Sequence, residues 1–520
     1  MIAAKLREFR SAPNFADYLL IAAVVAAITA VTIWWVGEDT RPPNWDEGAH
    51  LSRTLFYREH LLNFDVVTFL VTYAVYPPLT YWVAQPFYIV FGTTMTAAVA
   101  SQSVFVAVLA ISMYELGREL WSRRVGLLAM ALALTLPMVL SQFREFQLDP
   151  PLAAMTALSL LMLVRCREFS SRNYALALGF ALGLALLTKW TVFFAMVFPV
   201  ALALLWAAMH YRETGDLARI KNFAMAVGLA LFISLPWYLA HLNLWIRDIR
   251  RGSEYYGVRE GDPEVLSFQS AHWYFSSIFN DQLYLLPFVL VCIGVAFCFV
   301  TKENLRRNLY PLLLVLGCYF FLTIVRNKEP RYITLAVPAL TLLAVYWVDQ
   351  LRGWWPRVAA GAIASYAVVA FLAISFGLPL IKSEQVIDAR GGEIVIFAER
   401  GYRVGPPSSD RWMLEDIVKQ IAASESGEER AIYDHGPGGD SVWFNNASFS
   451  YYGEIYGVDF MERTRVKDAE FIVKHNRDAS HDPPAGFRNV DSWTLPNDTL
   501  VTLMQRFENG SPAVPGASAR

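Results

Sequence analysis

Two adjacent carboxylates, Asp46 and Glu47, lie just beyond the first apolar stretch of the chain, in segment 44–50. Carboxylates beside a membrane helix are costly unless they face water or a partner. The pair is therefore a candidate functional site. The alternative is a polar loop whose acids cap a following helix. His50, one helical turn further on, could tune such a base, bind a metal ion with Glu47, or be a solvated histidine.

A second acid and several cations stand in other breaks between apolar runs. Asp149 precedes two prolines, so it could cap the next helix, contribute to a site, or do both. Lys189 lies between two apolar runs, where a lysine near the bilayer centre costs roughly 2.5–3.5 kcal/mol. It either snorkels from a helix end or binds an anion, and Arg326 and Arg331 raise the same question. A bound anion is the favoured interpretation, because these helix ends are predicted on the outer side, where basic residues are not favoured.

The composition indicates which elements position these groups. Of 520 residues, 55% are apolar and only 17% are charged, where soluble proteins carry about 25% charge. The mean hydropathy is +0.34 and the net charge is −2. These values indicate a polytopic membrane protein and argue against a nucleic-acid partner. The four cysteines fall in or beside apolar stretches, which argues against a disulfide framework.

Apolar runs of membrane length recur up to about residue 380 and predict a polytopic α-helical protein. We place eleven spans near residues 17–36, 94–116, 124–140, 150–165, 174–188, 190–209, 221–240, 282–300, 309–325, 332–349 and 356–380. The first is a retained helix rather than a signal peptide, because it is nearly of full bilayer length and lacks a small-residue cleavage site. Basic residues concentrate in the short loops of one side, which places the N-terminus in the cytoplasm and the C-terminus outside.

The division at residue 380 separates a membrane domain, 1–380, from an extracytoplasmic α/β domain, 381–520. The membrane domain has two long outer loops, 37–93 and 241–281, and the amphipathic stretch Leu79–Phe91 is expected in the membrane interface. Strands are predicted at Glu393–Ala398, Ala431–Tyr433, Glu470–Lys474 and Leu500–Gln505, with turns at Gly405–Pro407 and Gly436–Gly439. A helix is predicted over Arg411–Ala422, with Ser409 or Asp410 as its cap.

In order and side, these motifs resemble the C-type membrane glycosyltransferases (the GT-C fold), closest to the branch of the protein O-mannosyltransferases and the bacterial lipid A aminoarabinose transferases. The resemblance covers about residues 15–350. It rests on Asp46-Glu47, Pro77-Pro78-Leu79, Asp149-Pro150, Leu187-Thr188-Lys189 and Arg331-Tyr332. Many members carry histidine where this chain has Tyr76. Tyr81, in the segment after the proline pair, is a further candidate for contact with substrate or metal.

The resemblance implies a sugar donor carried on a polyprenyl phosphate, with transfer on the outer membrane face and inversion at the sugar. It implies Asp46 as the general base, Glu47 as its neighbour and Asp149 as the second acid, with Lys189, Arg331 and Arg326 on the donor phosphate. The chemistry agrees, because a phosphate leaving group with a second pKa of about 6 needs cations more than an acid. A glycosidase needs two flanking carboxyl groups instead.

Several alternatives stay open at this stage. A transporter would carry its ionisable groups at the membrane midplane, usually with repeat symmetry, and no repeat is visible here. A non-catalytic glycolipid-binding protein with the same fold is the other alternative. The acceptor is a lipid, a glycan or a protein, and a divalent metal ion is a possible cofactor. A bacterial plasma membrane is the expected location.

Overall fold

The computed structural model describes residues 15–71, 75–378, 384–389, 392–398, 401–424, 429–435, 441–461, 468–476 and 483–507. These residues form two compact units. One unit contains the described residues up to Val36 and the stretch Tyr57–Pro407; the other contains Gly37–Phe56 and the described residues from Ser408 onward. Packing thus divides the chain differently from composition, which placed the boundary after residue 380.

The first unit is a bundle of helices. Its helices, including α2, which continues from the second unit, are α1 (Phe15–Glu38), α2 (Trp45–Leu62), α3 (Val66–Val71), α4 (Leu79–Phe91), α5 (Met95–Ser101), α6 (Ser103–Leu120), α7 (Arg123–Thr135), α8 (Pro137–Arg144), α9 (Asp149–Cys166), α10 (Arg172–Thr188), α11 (Val192–Thr214), α12 (Ala218–Ala240), α13 (Leu242–Arg251), α14 (Gly257–Arg259), α15 (Phe268–Ser277), α16 (Leu285–Cys298), α17 (Lys302–Thr323), α18 (Val337–Val345) and α19 (Trp355–Phe376). Short π-helical turns (Gly252–Tyr256, Ile278–Leu283) and 3₁₀ helices (Pro330–Ala336, Tyr346–Gln350) extend several of them.

Within the described residues, 8 stretches are long and apolar enough to cross a membrane, and two bent helix pairs raise the number to 10. The 17-residue α10 is apolar but shorter. With α10 included, each of the eleven predicted spans coincides with an apolar helix or helix pair. The chain is therefore a multi-pass helical membrane protein, and the predicted fold class is confirmed.

The two bends have local causes. Helices α7 and α8 meet at 56°, because Leu136 precedes Pro137 and takes the extended conformation that a following proline favours. The stretch Phe268–Leu283 meets α16 at 119°, where Tyr284 has a φ of 59°, outside the helical range. Both bends end a helix without a long loop.

Burial in the bundle is uneven. Over the apolar stretches of α9 and of the segment Pro330–Gln350, 78% and 89% of residues are buried. Both stretches follow a loop that carries candidate site residues, since Asp149 begins the first and Arg331 lies in the first turn of the second. The candidate groups thus sit at the ends of the two most enclosed helical stretches.

The second unit contains a five-stranded mixed sheet. Its elements are α20 (Leu414–Ala422), β3 (Glu429–His435), α21 (Asn446–Tyr456), β4 (Val458–Met461), β5 (Phe471–Asn476), β6 (Phe487–Thr494) and β7 (Leu500–Arg506). The strand order is β4-β3-β5-β7-β6, with β3 parallel to both its neighbours and β7 antiparallel to both of its own. Apolar residues of α20, including Leu414 and Ile417, pack in one core with Val473 and Leu503 of the sheet.

Several details differ from the sequence predictions. The predicted strand Glu393–Ala398 forms β2 (Gly392–Ala398), but it pairs with β1 (Glu384–Ala389) in the first unit and not with the five-stranded sheet. Helix α20 begins at Leu414, after Met413 with a φ of 55° and no side-chain cap, so the predicted cap at Ser409 or Asp410 is wrong. The turn Gly436–Gly439 lies outside the described residues.

Candidate active site

A buried ion pair joins two of the predicted site residues. Helix α10 ends at Thr188, and Lys189 follows in an extended conformation before α11 begins. The Lys189 Nζ donates a hydrogen bond to Asp149 Oδ1 at 2.8 Å. The side chains keep only 7% and 4% exposure, so neither charge is solvated by bulk water. Removal of one partner of such a pair leaves an uncompensated buried charge and costs about 3–5 kcal/mol.

Because of this ion pair, the Asp149 side chain does not cap its helix. Asp149 is the first residue of α9, Leu148 is the N-cap, and no side chain caps this end. The carboxylate is directed to the Lys189 ammonium instead, so the interpretation of Asp149 as a capping residue is wrong. Pro150 and Pro151 still fit the first turn, where a proline loses no helical hydrogen bond.

Two tyrosine rings enclose the Lys189 ammonium. The Nζ lies 5.3 Å from the ring centroid of Tyr76 and 4.7 Å from that of Tyr332, both within the range of a cation–π contact. Both tyrosines belong to the sequence motifs Tyr76-Pro77-Pro78 and Arg331-Tyr332, but their contact with Lys189 was not predicted.

Arg331 extends the positive site. Its guanidinium carbon lies 5.8 Å from the Tyr332 ring centroid, on a ring that Lys189 also contacts. Its Nη1 donates to Gln147 Oε1 at 3.0 Å, and Gln147 stands two residues before Asp149. The loop before α9 and the turn at 330–332 are therefore joined by hydrogen bond and by ring contact. Lys189, Asp149 and Arg331 form one cluster.

Arg326 is the third predicted cation. It is partly exposed, and its buried Nε has no hydrogen-bond partner among the residues that the structure describes. A guanidinium with an unused N–H is suited to bind a phosphate or carboxylate oxygen. Arg326 lies on the connection 324–329, directly before the 3₁₀ helix that holds Arg331.

Lys328 has a structural role in that connection. Its Nζ donates to three backbone carbonyls at the end of α17, those of Leu322, Thr323 and Val325. Its backbone N–H donates to Asp262 Oδ2 at 2.8 Å. Burial lowers the pKa of Lys328 to about 8. Lys328 thus satisfies carbonyls at a helix end and shapes the turn between the two arginines.

The carboxylates Asp46 and Glu47 occupy the first turn of α2. The Asn44 carbonyl accepts the first helical hydrogen bond from Gly48, so Asn44 is the N-cap. Its Oδ1 accepts from the Glu47 N–H at 3.0 Å, and Glu47 Oε2 accepts from the Asn44 N–H at 3.3 Å. This reciprocal pair is a capping box. Glu47 is buried and caps the helix, whereas Asp46 beside it is only half-buried.

The start of α2 is fixed within the second unit. The Pro43 carbonyl accepts from Ser448 Oγ and from Asn445 Nδ2, at the N-terminus of α21. A Cβ at Gly48 would lie 2.9 Å from the Ala447 carbonyl carbon, so only glycine permits this approach. The contact between the starts of α2 and α21 therefore fixes the helical turn that carries Asp46.

His50 and Tyr81 are the remaining predicted site residues. His50 is buried in the second unit. Tyr81 of α4 is buried in the first unit, and its ring is stacked 5.6 Å from that of Tyr57. Among the residues that the structure describes, no group of three or more His, Cys, Asp or Glu side chains converges on one point. Metal dependence and contacts of His50 or Tyr81 with substrate stay predictions.

Comparison with known proteins agrees with this architecture. Residues 75–238 match the family described as dolichyl-phosphate-mannose-protein mannosyltransferase. The chain is 27% identical over 296 residues to an undecaprenyl phosphate-alpha-4-amino-4-deoxy-L-arabinose arabinosyl transferase of Proteus mirabilis, covering 53% of this chain and 50% of that protein. The homologous protein of Pseudomonas fluorescens is 25% identical over 338 residues, covering 61% and 56%. The chain thus spans about half the length of the curated relatives it matches.

The fold extends over nearly the whole chain. ArnT from Cupriavidus metallidurans, in a crystal structure with undecaprenyl phosphate, superposes with a TM-score of 0.62 at 16% identity, covering 94% of this chain and 98% of that one. The chain therefore has the fold of the C-type membrane glycosyltransferases. Within that class it resembles the protein mannosyltransferase and aminoarabinose transferase branch, and the resemblance drawn from the sequence motifs is confirmed.

Proposed function

We propose that the chain is an inverting glycosyltransferase that moves a sugar from a polyprenyl-phosphate donor to a lipid, glycan or protein acceptor on the outer face of a bacterial plasma membrane. The observation that carries the proposal is the buried Lys189 ammonium, held between Asp149, Tyr76 and Tyr332 at a helix end. The named activities of the Proteus and Pseudomonas relatives and the lipid in the ArnT crystal structure support the donor class.

Cations on the leaving group supply most of what this reaction needs. The bond between the sugar C1 and the phosphate oxygen breaks, and its electron pair leaves with the polyprenyl phosphate. Lys189, Arg331 and Arg326 bind the phosphate oxygens and stabilise this charge. Asp149 sets the position of the Lys189 ammonium in the unliganded protein. The tyrosine rings exclude water and orient the ammonium without neutralising it.

The acceptor oxygen forms the new bond to C1 from the opposite face and loses its proton. We assign this proton to Asp46, the half-buried carboxylate of the first turn of α2. Glu47 serves the reaction indirectly, since its carboxylate closes the capping box that fixes this turn. The sugar thus goes to the acceptor, the electron pair leaves with the polyprenyl phosphate, and the proton goes to Asp46. No second carboxyl group is required to protonate the leaving phosphate.

Release of radiolabelled sugar from its lipid tests the proposal. Purified protein in nanodiscs receives undecaprenyl-phosphate-linked mannose or 4-amino-4-deoxy-arabinose, with a bacterial membrane extract as acceptor. We expect Asp46→Asn to lower release by about 10²–10⁴-fold and Lys189→Ala by about 10²–10³-fold.

The matched controls Asp459→Asn and Lys302→Ala change exposed residues and should leave the rate unchanged. Equal release by Asp46→Asn and wild type would contradict the assignment of the base. No release from any donor would contradict the proposed activity.

A further inference from the structure

Helix α13 (Leu242–Arg251) follows the membrane-length α12 directly, and none of its residues is buried. Arg247, Arg250 and Arg251 are all exposed. At 100° per residue they cluster on one face of the helix, and Leu242 and Ile246 lie on the neighbouring face. These two apolar side chains keep 42% and 39% exposure. The helix therefore presents an arginine face and an uncovered apolar stripe side by side, which is the pattern of a helix lying in a membrane interface.

The arginine face keeps a positive charge. Asp248 is the one acidic residue of the helix, and its carboxylate lies 3.2 Å from the Arg247 guanidinium. Arg250 and Arg251 form no ion pair with any residue that the structure describes; Arg251 lies over the rings of Tyr255 and Tyr256 instead. Three guanidinium groups thus stand against one carboxylate, so the face has a net positive charge that an external anion can neutralise.

Both ends of the segment pack beside the candidate active site. Near the start, the Trp245 ring lies 6.0 Å from the ring of Trp190, the residue after Lys189. Beyond the helix, Asn327 Nδ2 donates to the Gly252 carbonyl at 3.4 Å. A Cβ at Gly257 would lie 3.2 Å from Arg326 Cγ, so this backbone packs tightly on the Arg326 connection. The position of α13 is fixed by these contacts, while its arginine face is left open.

We infer that α13 is a docking surface for the headgroups of anionic phospholipids of the bilayer. The apolar stripe fits the acyl region, and the adjacent guanidinium groups bind lipid phosphate oxygens. The positive-inside tendency does not explain these arginines, because the loop that contains them is predicted on the outer side. The inference goes beyond the proposed function and does not depend on catalysis.

Lipid retention measured by native mass spectrometry tests the inference. The full-length protein is titrated in detergent with phosphatidylglycerol or phosphatidylcholine at two salt concentrations. The variant Arg247→Gln/Arg250→Gln/Arg251→Gln is compared with Lys302→Gln/Arg306→Gln/Arg352→Gln, which removes three exposed cations elsewhere. We expect the first variant to bind phosphatidylglycerol on the order of 100-fold more weakly than wild type. The control variant and phosphatidylcholine binding should be unchanged, and high salt should weaken wild-type binding to phosphatidylglycerol.

Other outcomes would overturn the inference. Equal phosphatidylglycerol binding by wild type and the α13 variant would exclude the arginine face as the lipid site. Loss of sugar release with unchanged lipid retention would assign the arginines to the reaction instead. If the triple variant does not fold, Arg250→Gln alone is measured instead and should weaken phosphatidylglycerol binding about fivefold. Unchanged phosphatidylglycerol binding by Arg250→Gln would also contradict the inference.

Discussion

The ion pair between Lys189 and Asp149 makes the stability of the bundle depend on two charges that also serve the proposed reaction. Lys189→Met leaves a buried carboxylate without its partner, and we expect a loss of about 3–5 kcal/mol. Lys189→Met combined with Asp149→Leu removes both charges and should recover most of that loss, while sugar release stays abolished. Thermal unfolding in detergent measures the first effect. A double variant no more stable than the single one would contradict the charge argument.

Lys328 predicts a pH dependence of stability. Burial lowers the pKa of Lys328 in the folded chain to about 8, whereas an unfolded lysine titrates near about 10.4. Between these values the unfolded chain binds the extra proton, so the free energy of unfolding rises with pH in this window. We expect the melting temperature of wild type, relative to Lys328→Gln, to increase from pH 8 to pH 10. If the melting temperature of wild type relative to Lys328→Gln decreased from pH 8 to pH 10, the prediction would be contradicted.

At the level of single residues, sequence reasoning identified the charges of the site but not their surroundings. Lys189, Asp149 and Arg331 could be named because charges between apolar runs are rare and costly. The contact of the Tyr76 and Tyr332 rings with Lys189 could not be predicted, since tyrosine is frequent at membrane interfaces for unrelated reasons. The hydrogen bond from the Arg331 guanidinium to Gln147 could not be predicted either, because the two residues are far apart in the sequence.

The first turn of α2 shows how one element separates two adjacent carboxylates. In the capping box, Glu47 can be replaced by glutamine without loss of the hydrogen bond. We therefore expect Glu47→Gln to keep both stability and sugar release, and Glu47→Ala to destabilise the second unit by about 1 kcal/mol. Asp46→Asn should show the reverse pattern, with normal unfolding and little turnover. Loss of sugar release in Glu47→Gln at unchanged stability would place Glu47 in the chemistry.

Elements with a strong apolar period were predicted well, and those defined by backbone conformation were not. The amphipathic stretch Leu79–Phe91 has the same bounds as α4. The start of α20 was missed because Met413 adopts a positive φ, which no residue pattern specifies. Helix α21, with its serines, tyrosines and glycine, lacks a clear apolar period, so it was not predicted.

At the scale of the whole molecule, non-local packing is the part that the sequence does not reveal. Residues 37–56 belong with the C-terminal unit, although almost the entire helical bundle separates them along the chain. Gly48 permits the backbone contact with Ala447, but a glycine after two acids carries no sign of its distant partner. Composition alone therefore placed these residues in a loop of the membrane domain.

The orientation of the whole molecule is the last prediction. An N-terminus in the cytoplasm followed by eleven crossings places the C-terminal unit outside. Asp459 of that unit and Arg306 in the first part of α17 are both exposed, and the basic end of α17 that holds Arg306 should face the cytoplasm. In a chain whose exposed Cys292 is replaced by serine, Asp459→Cys should react with a membrane-impermeant maleimide in cells whose outer membrane alone is opened. Arg306→Cys should react only after the plasma membrane is permeabilised. The opposite labelling pattern would invert the topology and move the proposed reaction to the cytoplasmic face.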